Sequence, residues 1–459
     1  MLSGFSLLVF FVFMIILMVI AIAKFKWHPF LAIMSTSLLL ALFSLPLKSI
    51  PASIGNGFSG TFSSLGIVII LGAMIGTILE KTGAALTMAD TVIHLAGKKR
   101  PDIAILLMGW IVSIPVFCDS GYVMLNPIRK ALTRQTGISA ATMVICLASG
   151  LYVSHVFIPP TPGPIAAAQY LGLENHILAI ILAGLLISIP VLTAGCLFAG
   201  FIGKKIPVDM DHENDPETDG SYEALKARHG TLPHPAAAFS PVVIPILLMA
   251  LKSAADLIQI KGSTGELIRF AGTPIIALSI GVIFSVILLF KHGYKEEFYD
   301  ITNQTLKTTG PILFVTAGGG VLGKVISDAG IVTYISHNLP GISVIGILFP
   351  FLLAATLKTA QGSSTVAITT TAGIMGWYSA ENTLMASLGL TDPLSAVLTV
   401  MAIGAGAMTV SHANDSSFWV VANFGGLKTQ DAYKAHTLCT LIMGLTGILF
   451  IWLCHLLLV

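Results

Sequence analysis

Residues 343–377 read SVIGILFPFLLAATLKTAQGSSTVAITTTAGIMGW. Two apolar arms, 343–357 and 366–377, flank a polar tip, Lys358-Thr359-Ala360-Gln361-Gly362-Ser363-Ser364. As helices the arms reach about 22 and about 18 Å. Neither crosses ~30 Å of hydrocarbon, which takes about 20 residues. A polar tip between two such arms reads as a re-entrant hairpin, tolerated at membrane depth only inside protein or beside a water-filled cavity. A second stretch has the same design: 103–117 and 122–133 flank the tip Cys118-Asp119-Ser120-Gly121.

The rest of the chain supplies the membrane setting that hairpins require. Of 459 residues, 55% are hydrophobic and 10% charged, and the mean hydropathy is +0.89. Soluble domains carry about 25% charged residues, so this is a polytopic helical membrane protein. Spans are predicted at 4–23, 29–47, 62–79, 138–157, 177–202, 240–258, 268–290, 308–326, 393–411 and 436–458. Residues 4–23 lack a charged leading region and a small-residue cleavage site, so they read as a retained span. A net charge of +2, with Lys98-Lys99-Arg100 as the one basic tract, argues against a nucleic-acid partner. Five cysteines without CxxC or CxxH spacing argue against a disulfide framework or a zinc site. No metal or other cofactor is expected.

Residues 204–239 are acidic and proline-bearing, from Asp209 through Glu223 to Pro235, and read as a linker. It divides the chain into a first membrane repeat, 1–203, and a second, 240–459. Gly72, Gly76 and Gly83 align with Gly319, Gly323 and Gly330 at one offset, 247. Val153-Ser154-His155 recurs as Val410-Ser411-His412. Hairpins add no crossings, so each repeat crosses five times, an odd number that inverts one copy relative to the other. With the N-terminus outside, 18 of the 24 Lys and Arg fall on the cytoplasmic side, as the positive-inside rule expects. The linker is then cytoplasmic.

Polar groups at membrane depth are costly and point to function. They cluster at 117–121, at Ser154-His155 with Pro159, Pro160, Thr161, Pro162, Gly163 and Pro164, at 358–365, and at Ser411-His412-Ala413-Asn414-Asp415-Ser416-Ser417-Phe418-Trp419. The prolines must break helix 138–157, and a second piece starts near Pro164. Asn, Asp and Ser favour a break at 411–417 as well. Each half thus holds a discontinuous helix. Freed helix N-termini carry partial positive charge and bind anions. Ser363, Ser364 and Thr365 would cap one hairpin arm, and Ser120 and Gly121 would open the other.

Four motifs then carry a family resemblance: Phe117–Gly121, Ser154–Pro164, Lys358–Ala367 and Ser411–Trp419. In this order they resemble the gluconate permease (gluconate:proton symporter) family of the ion-transporter superfamily. The resemblance implies an inner-membrane secondary transporter with inverted repeats, working as a homodimer on gluconate and related sugar acids, with D-serine in one branch. The chain differs from the family pattern at Asp119-Ser120, Thr161, Lys358 and Gln361.

The combined expectation is a proton-coupled uptake carrier for a small hydroxycarboxylate. Lys358 and helix ends would hold the carboxylate, and Gly121, Gly163 and Gly362 are counted among the substrate-binding residues. Ser120, Thr161, Gln361, Ser363, Ser364 and Asn414 would read hydroxyls, and His155, Thr365 and His412 are further substrate-binding candidates. Asp119 or Asp415 would carry the proton, Asp119 being favoured because free N–H groups at the helix break stabilise ionised Asp415. The alternatives are sodium coupling and an amino-acid carrier. An intramembrane enzyme is disfavoured, because neither Gly-x-Ser-x-Gly nor His-Glu-x-x-His accompanies the Ser, His and Asp residues. The topology is testable with single cysteines on a cysteine-free background. Asp215→Cys and Glu266→Cys should react with an impermeant maleimide from opposite sides of intact cells, and equal labelling would rule out the inverted arrangement.

Overall fold

The computed structural model describes residues 2–25, 27–96, 100–206, 208, 231–331, 334, 345–412 and 415–459. The first half contains α1 (Gly4–Ala23), α2 (Pro29–Ser44), α3 (Ile50–Lys81), α4 (Ala84–Ala96), α5 (Pro101–Val112), α6 (Cys118–Thr136), α7 (Ala140–Phe157), α8 (Pro162–Tyr170) and α9 (Ile177–Ile202). The second contains α10 (Pro235–Leu257), α11 (Pro274–Lys291), α12 (Phe298–Asp328), α13 (Leu348–Gln361), α14 (Ser364–Met375), α15 (Pro393–Met408), α16 (Ser416–Phe424) and α17 (Leu438–Leu458), with shorter turns between them. Proline opens α2, α5, α8, α10, α11 and α15, where its missing N–H costs no hydrogen bond and its fixed φ suits the first turn.

The two halves share one element order. Long α3 and α12 have 32 and 31 residues. Each ends before a glycine with positive φ, Gly83 at 71° and Gly330 at 73°, the left-handed stop that releases a chain from a helix. Hairpin α5–α6 matches α13–α14, and the broken pair α7–α8 matches α15–α16. Equivalent helices pack against each other, α3 on α12 and α9 on α17. Both pairs run antiparallel. Ser53 meets Asp328, while Phe58 and Phe62 meet Phe314. Gly195 faces Met443, while Val191 faces Gly447. The repeats are therefore inverted. The halves also interlock crosswise, since α8 packs on α14 and α6 on α16.

Several boundaries differ from the expected ones. The first hairpin turns at 113–117, and Cys118-Asp119-Ser120-Gly121 forms the first turn of α6 instead of the tip. Pro115 interrupts the helix there, and Ser113 Oγ donates to the Val116 carbonyl at 3.1 Å. The second tip shrinks to Gly362-Ser363. Gly362, at φ 87°, ends α13 after Gln361, so Lys358 lies in a helical last turn. The span expected at 268–290 is two helices, Ser263–Ala271 and α11. Residues 209–230 of the linker lie outside the described residues.

Among the described residues, six helices are long and apolar enough to cross a membrane, and seven if the bent pair 66–81 and 84–92 is counted as one span. That is fewer than the ten expected. Helices α2 and α15 have only 16 residues each, short of the about 20 that a straight crossing takes.

Arg129, one of the 18 basic residues assigned to the cytoplasmic side, is fully buried. Its guanidinium donates to Asn126 Oδ1 at 2.8 Å, and Asn126 donates to the Phe424 carbonyl at 2.8 Å, tying α6 to the end of α16.

Glycines set how closely the helices approach. A Cβ on Gly150 of α7 would lie 2.0 Å from the Leu106 carbonyl oxygen and 2.8 Å from the Trp110 nitrogen, both backbone atoms of α5. No rotamer change relieves a clash with backbone. Gly150→Ala should therefore lower the melting temperature of the purified protein, at an overpacking cost of about 1–3 kcal/mol. Gly200→Ala on α9, with nothing within 4 Å, should leave it unchanged or raise it. Equal melting of both variants would contradict the close packing of α5 on α7.

Candidate functional site

Three helices begin around one cavity of about 140 Å³. Helix α6 starts where the Pro115 turn ends, with Phe117 extended as its cap. Helix α14 starts at Ser363, whose hydroxyl accepts from the Val366 N–H at 3.3 Å. Helix α16 starts at Asp415, whose Oδ1 accepts from the Ser417 N–H at 3.0 Å. The cap and first two residues of each line the cavity: Phe117-Cys118-Asp119, Ser363-Ser364-Thr365 and Asp415-Ser416-Ser417. Tyr152 and His155 of α7 and Ile312 of α12 complete the wall.

Asp415 also belongs to a buried charge pair, with Lys358 behind the wall. Lys358 is 0% and Asp415 4% exposed. Lys358 Nζ lies 2.5 Å from Asp415 Oδ2 and also donates to the Gly362 carbonyl. The same Oδ2 accepts from Ser411 Oγ at 2.5 Å and from the Tyr152 hydroxyl at 3.4 Å. Tyr152 carries the network into the cavity, its hydroxyl 2.7 Å from Ser364 Oγ. The ammonium also sits 5.5 Å from the Tyr152 ring centroid, within cation–π range. Asp119 Oδ2 accepts from Ser416 Oγ at 2.5 Å, a bond between the two repeats.

The expected site residues distribute as follows. Asp119, His155, Ser363, Ser364, Thr365 and Asp415 line the cavity, where His155 Nε2 lies 3.2 Å from Thr365 Oγ1. Lys358 and Gly362 stand behind the wall. Thr161 caps α8, donating to the Ile158 carbonyl at 2.6 Å, and borders a separate gap of about 10 Å³, room for about one water. Gly121 packs α6 on Leu151, and Gly163 packs α8 on Ile368. His412 Nε2 lies 3.0 Å from the Thr359 carbonyl oxygen. Asn414 and the side chains of Ser120 and Gln361 lie outside the described residues.

Tyr152 and Ile312 lie outside the polar clusters of the sequence, whereas Phe117, Cys118, Ser416 and Ser417 lie within them without being expected as site residues. Tyr152 precedes His155 by one helical turn, a spacing that shares a face, and both serines follow the acid that caps α16. Ile312 arrives from the other repeat partner of the α3–α12 pair, and no sequence signal marks it.

The halves differ in charge. At the offset of 247, Lys358 corresponds to Ile111. Asp415 and Thr161 are the caps of the equivalent helices α16 and α8. Only the second repeat carries the pair.

Comparison with known proteins agrees with this architecture. The family model described as GntP family permease matches residues 6–457. The inner membrane permease YgbN of Escherichia coli K12 is 32% identical, over 95% of this chain and 96% of that protein. A gluconate permease of Pseudomonas aeruginosa is 30% identical, over 97% and 96%. The Gnt-II system L-idonate transporter of Escherichia coli K12 is 30% identical, over 95% and 96%. Among solved structures, the Alcanivorax borkumensis YdaH transporter aligns with a TM-score of 0.62 at 15% identity, covering 93% of this chain and 98% of its own. At that identity the likeness is one of fold. A family match over nearly the full length, on an inverted-repeat membrane fold, places the chain in the GntP permease family, as a multi-pass inner-membrane transporter and not an enzyme.

Proposed function

We propose that this permease carries a small hydroxylated carboxylate, a gluconate-like sugar acid, into the cell together with a proton. The observation that carries the reading is the convergence of three helix N-termini on one cavity. Each such end is equivalent to about half a positive charge, from N–H groups with no partner in their own helix. Their sum favours an anion at the centre. Hydroxyls of Ser364, Thr365, Ser416 and Ser417, with His155, stand where substrate hydroxyls would be read, while Phe117 and Ile312 offer an apolar wall to the carbon chain. The names of the relatives, gluconate and L-idonate transporters, fit such a ligand. The homodimer rests on the family resemblance.

Lys358 balances Asp415, so the pair leaves the cavity no net charge. Asp119 lines the cavity and receives hydrogen bonds from Ser416 and Cys118. An ionised Asp119 would repel an incoming carboxylate, and protonation removes that repulsion. Substrate and proton then strengthen each other's binding by one common factor. Asp119→Asn should abolish pH-driven accumulation of labelled gluconate in proteoliposomes and retain counterflow, which moves no net proton. Accumulation that follows a sodium gradient instead, or competition by D-serine and not by gluconate, would replace this reading with a sodium-coupled or an amino-acid carrier.

Lys358 in this arrangement holds the start of α16 instead of touching the substrate. Lys358→Gln leaves Asp415 buried without its cation, a loss of about 3–5 kcal/mol. The single variant should melt well below the native protein. Adding Asp415→Asn removes the orphaned charge and should recover much of that loss. Two equally destabilised variants would show that the pair does not act as a unit.

A further inference from the structure

Ser411 is held at every polar atom. Its N–H donates to Thr440 Oγ1 at 3.0 Å, and its carbonyl accepts from Thr437 Oγ1 at 2.6 Å. Its Oγ donates to Asp415 Oδ2 at 2.5 Å and lies 3.2 Å from His436 Nε2. Three of these four partners, His436, Thr437 and Thr440, belong to one place in the fold. Residues Tyr433–Thr437 wind as a π-helical turn that runs directly into α17. Single π turns inside helices are rare and concentrate at functional sites. On the other side of Ser411, Val410 has φ 59°, a left-handed conformation that is costly for a β-branched residue. Backbone held in such a state persists only where its surroundings over-determine it. The chain is thus bent at Val410 and clasped at Ser411 to bring one hydroxyl to one carboxylate.

The proton inventory fixes the direction of this chain. A serine hydroxyl has one hydrogen, and here it goes to Asp415. Ser411 Oγ can therefore only accept from His436, so the imidazole must carry its proton on Nε2. His436 is buried and absent from the cavity wall. Its ring lies 6.3 Å from that of Tyr152 and 6.5 Å from that of Phe418.

We propose that His436 is a positioning residue of the cavity: its Nε2–H, acting through Ser411, orients Asp415, and with it the Lys358 and Tyr152 contacts that set the Ser364 hydroxyl. The functional half of the test rests on the sugar-acid reading given above, and the spectroscopic half does not.

The first measurement is solid-state NMR of protein labelled with ¹⁵N-histidine in lipid bilayers. The His436 signal is identified by its disappearance in His436→Gln. It should report a neutral ring protonated on Nε2, and Ser411→Ala should move that resonance. A proton on Nδ1 alone, or a resonance indifferent to Ser411→Ala, would overturn the proposal whatever the substrate.

The second measurement is counterflow of D-gluconate. His436→Leu should raise the half-saturation concentration about tenfold, a change of about 1.4 kcal/mol, with a smaller effect on the maximal rate per folded molecule. His436→Gln, which keeps an N–H donor, should restore it to within about twofold of the native value. Native behaviour in His436→Leu, or equal defects in both variants, would reduce His436 to a packing residue. Absence of gluconate counterflow in the native protein would refute the sugar-acid reading and leave the NMR result to decide the role of His436.

Discussion

The buried Lys358–Asp415 pair is the interaction on which the site depends. Two charges taken out of water are stable only when their geometry is good and their remaining donors and acceptors are used. Here they are: Lys358 also reaches the Gly362 carbonyl, and Asp415 also receives Ser411, Tyr152 and the Ser417 N–H. Through those bonds one pair fixes three local structures. It closes the last turn of α13, caps the first turn of α16, and orients the tyrosine that touches the start of α14. The two breaks of the second repeat are held in register by it, although its members stand 57 residues apart.

The inversion of the repeats brings the remaining helix start to the same place. Helix α6 comes from the first repeat and is tied to α16 at both ends, by Asp119 to Ser416 and by Asn126 to Phe424. The polar elements at the cavity are therefore fastened to one another across the repeat boundary. The apolar contribution of Ile312 comes from α12, which packs on its own repeat equivalent α3. Close approach depends on glycine at several contacts. Gly323 lies against the Gly373 backbone and Gly76 against that of Pro115, each at a spacing that leaves no room for a methyl group.

Much of this was legible in the sequence because its causes are local. Apolar runs, short arms with polar tips, a proline cluster and glycines at a constant offset each reflect a backbone constraint a few residues long. The errors have equally physical sources. The first hairpin tip was placed by polarity at 118–121, whereas the turn is set by Pro115 and the absence of its N–H. The span expected at 268–290 appeared too uniform because hydropathy does not register where a helix stops hydrogen bonding, as at Gly272. Lys358 was expected beside a substrate carboxylate, and in the structure a carboxylate of the chain itself, Asp415, lies against it, brought there by tertiary folding that no local pattern encodes. Tyr152 and His436 were passed over for the same reason.

The restriction of the charge pair to the second repeat bears on how such a chain could have arisen. Two identical half-length copies packed antiparallel would carry the pair in both halves or in neither. In the present chain the matching positions are Ile111 and Thr161, and the charged residues occur in one half alone. Acquiring either charge by itself would strand an ion in a dry interior, a penalty far larger than most single substitutions impose. Divergence of this kind requires two separately encoded copies, one free to vary while its twin keeps its surface, and the two halves of this chain meet that condition.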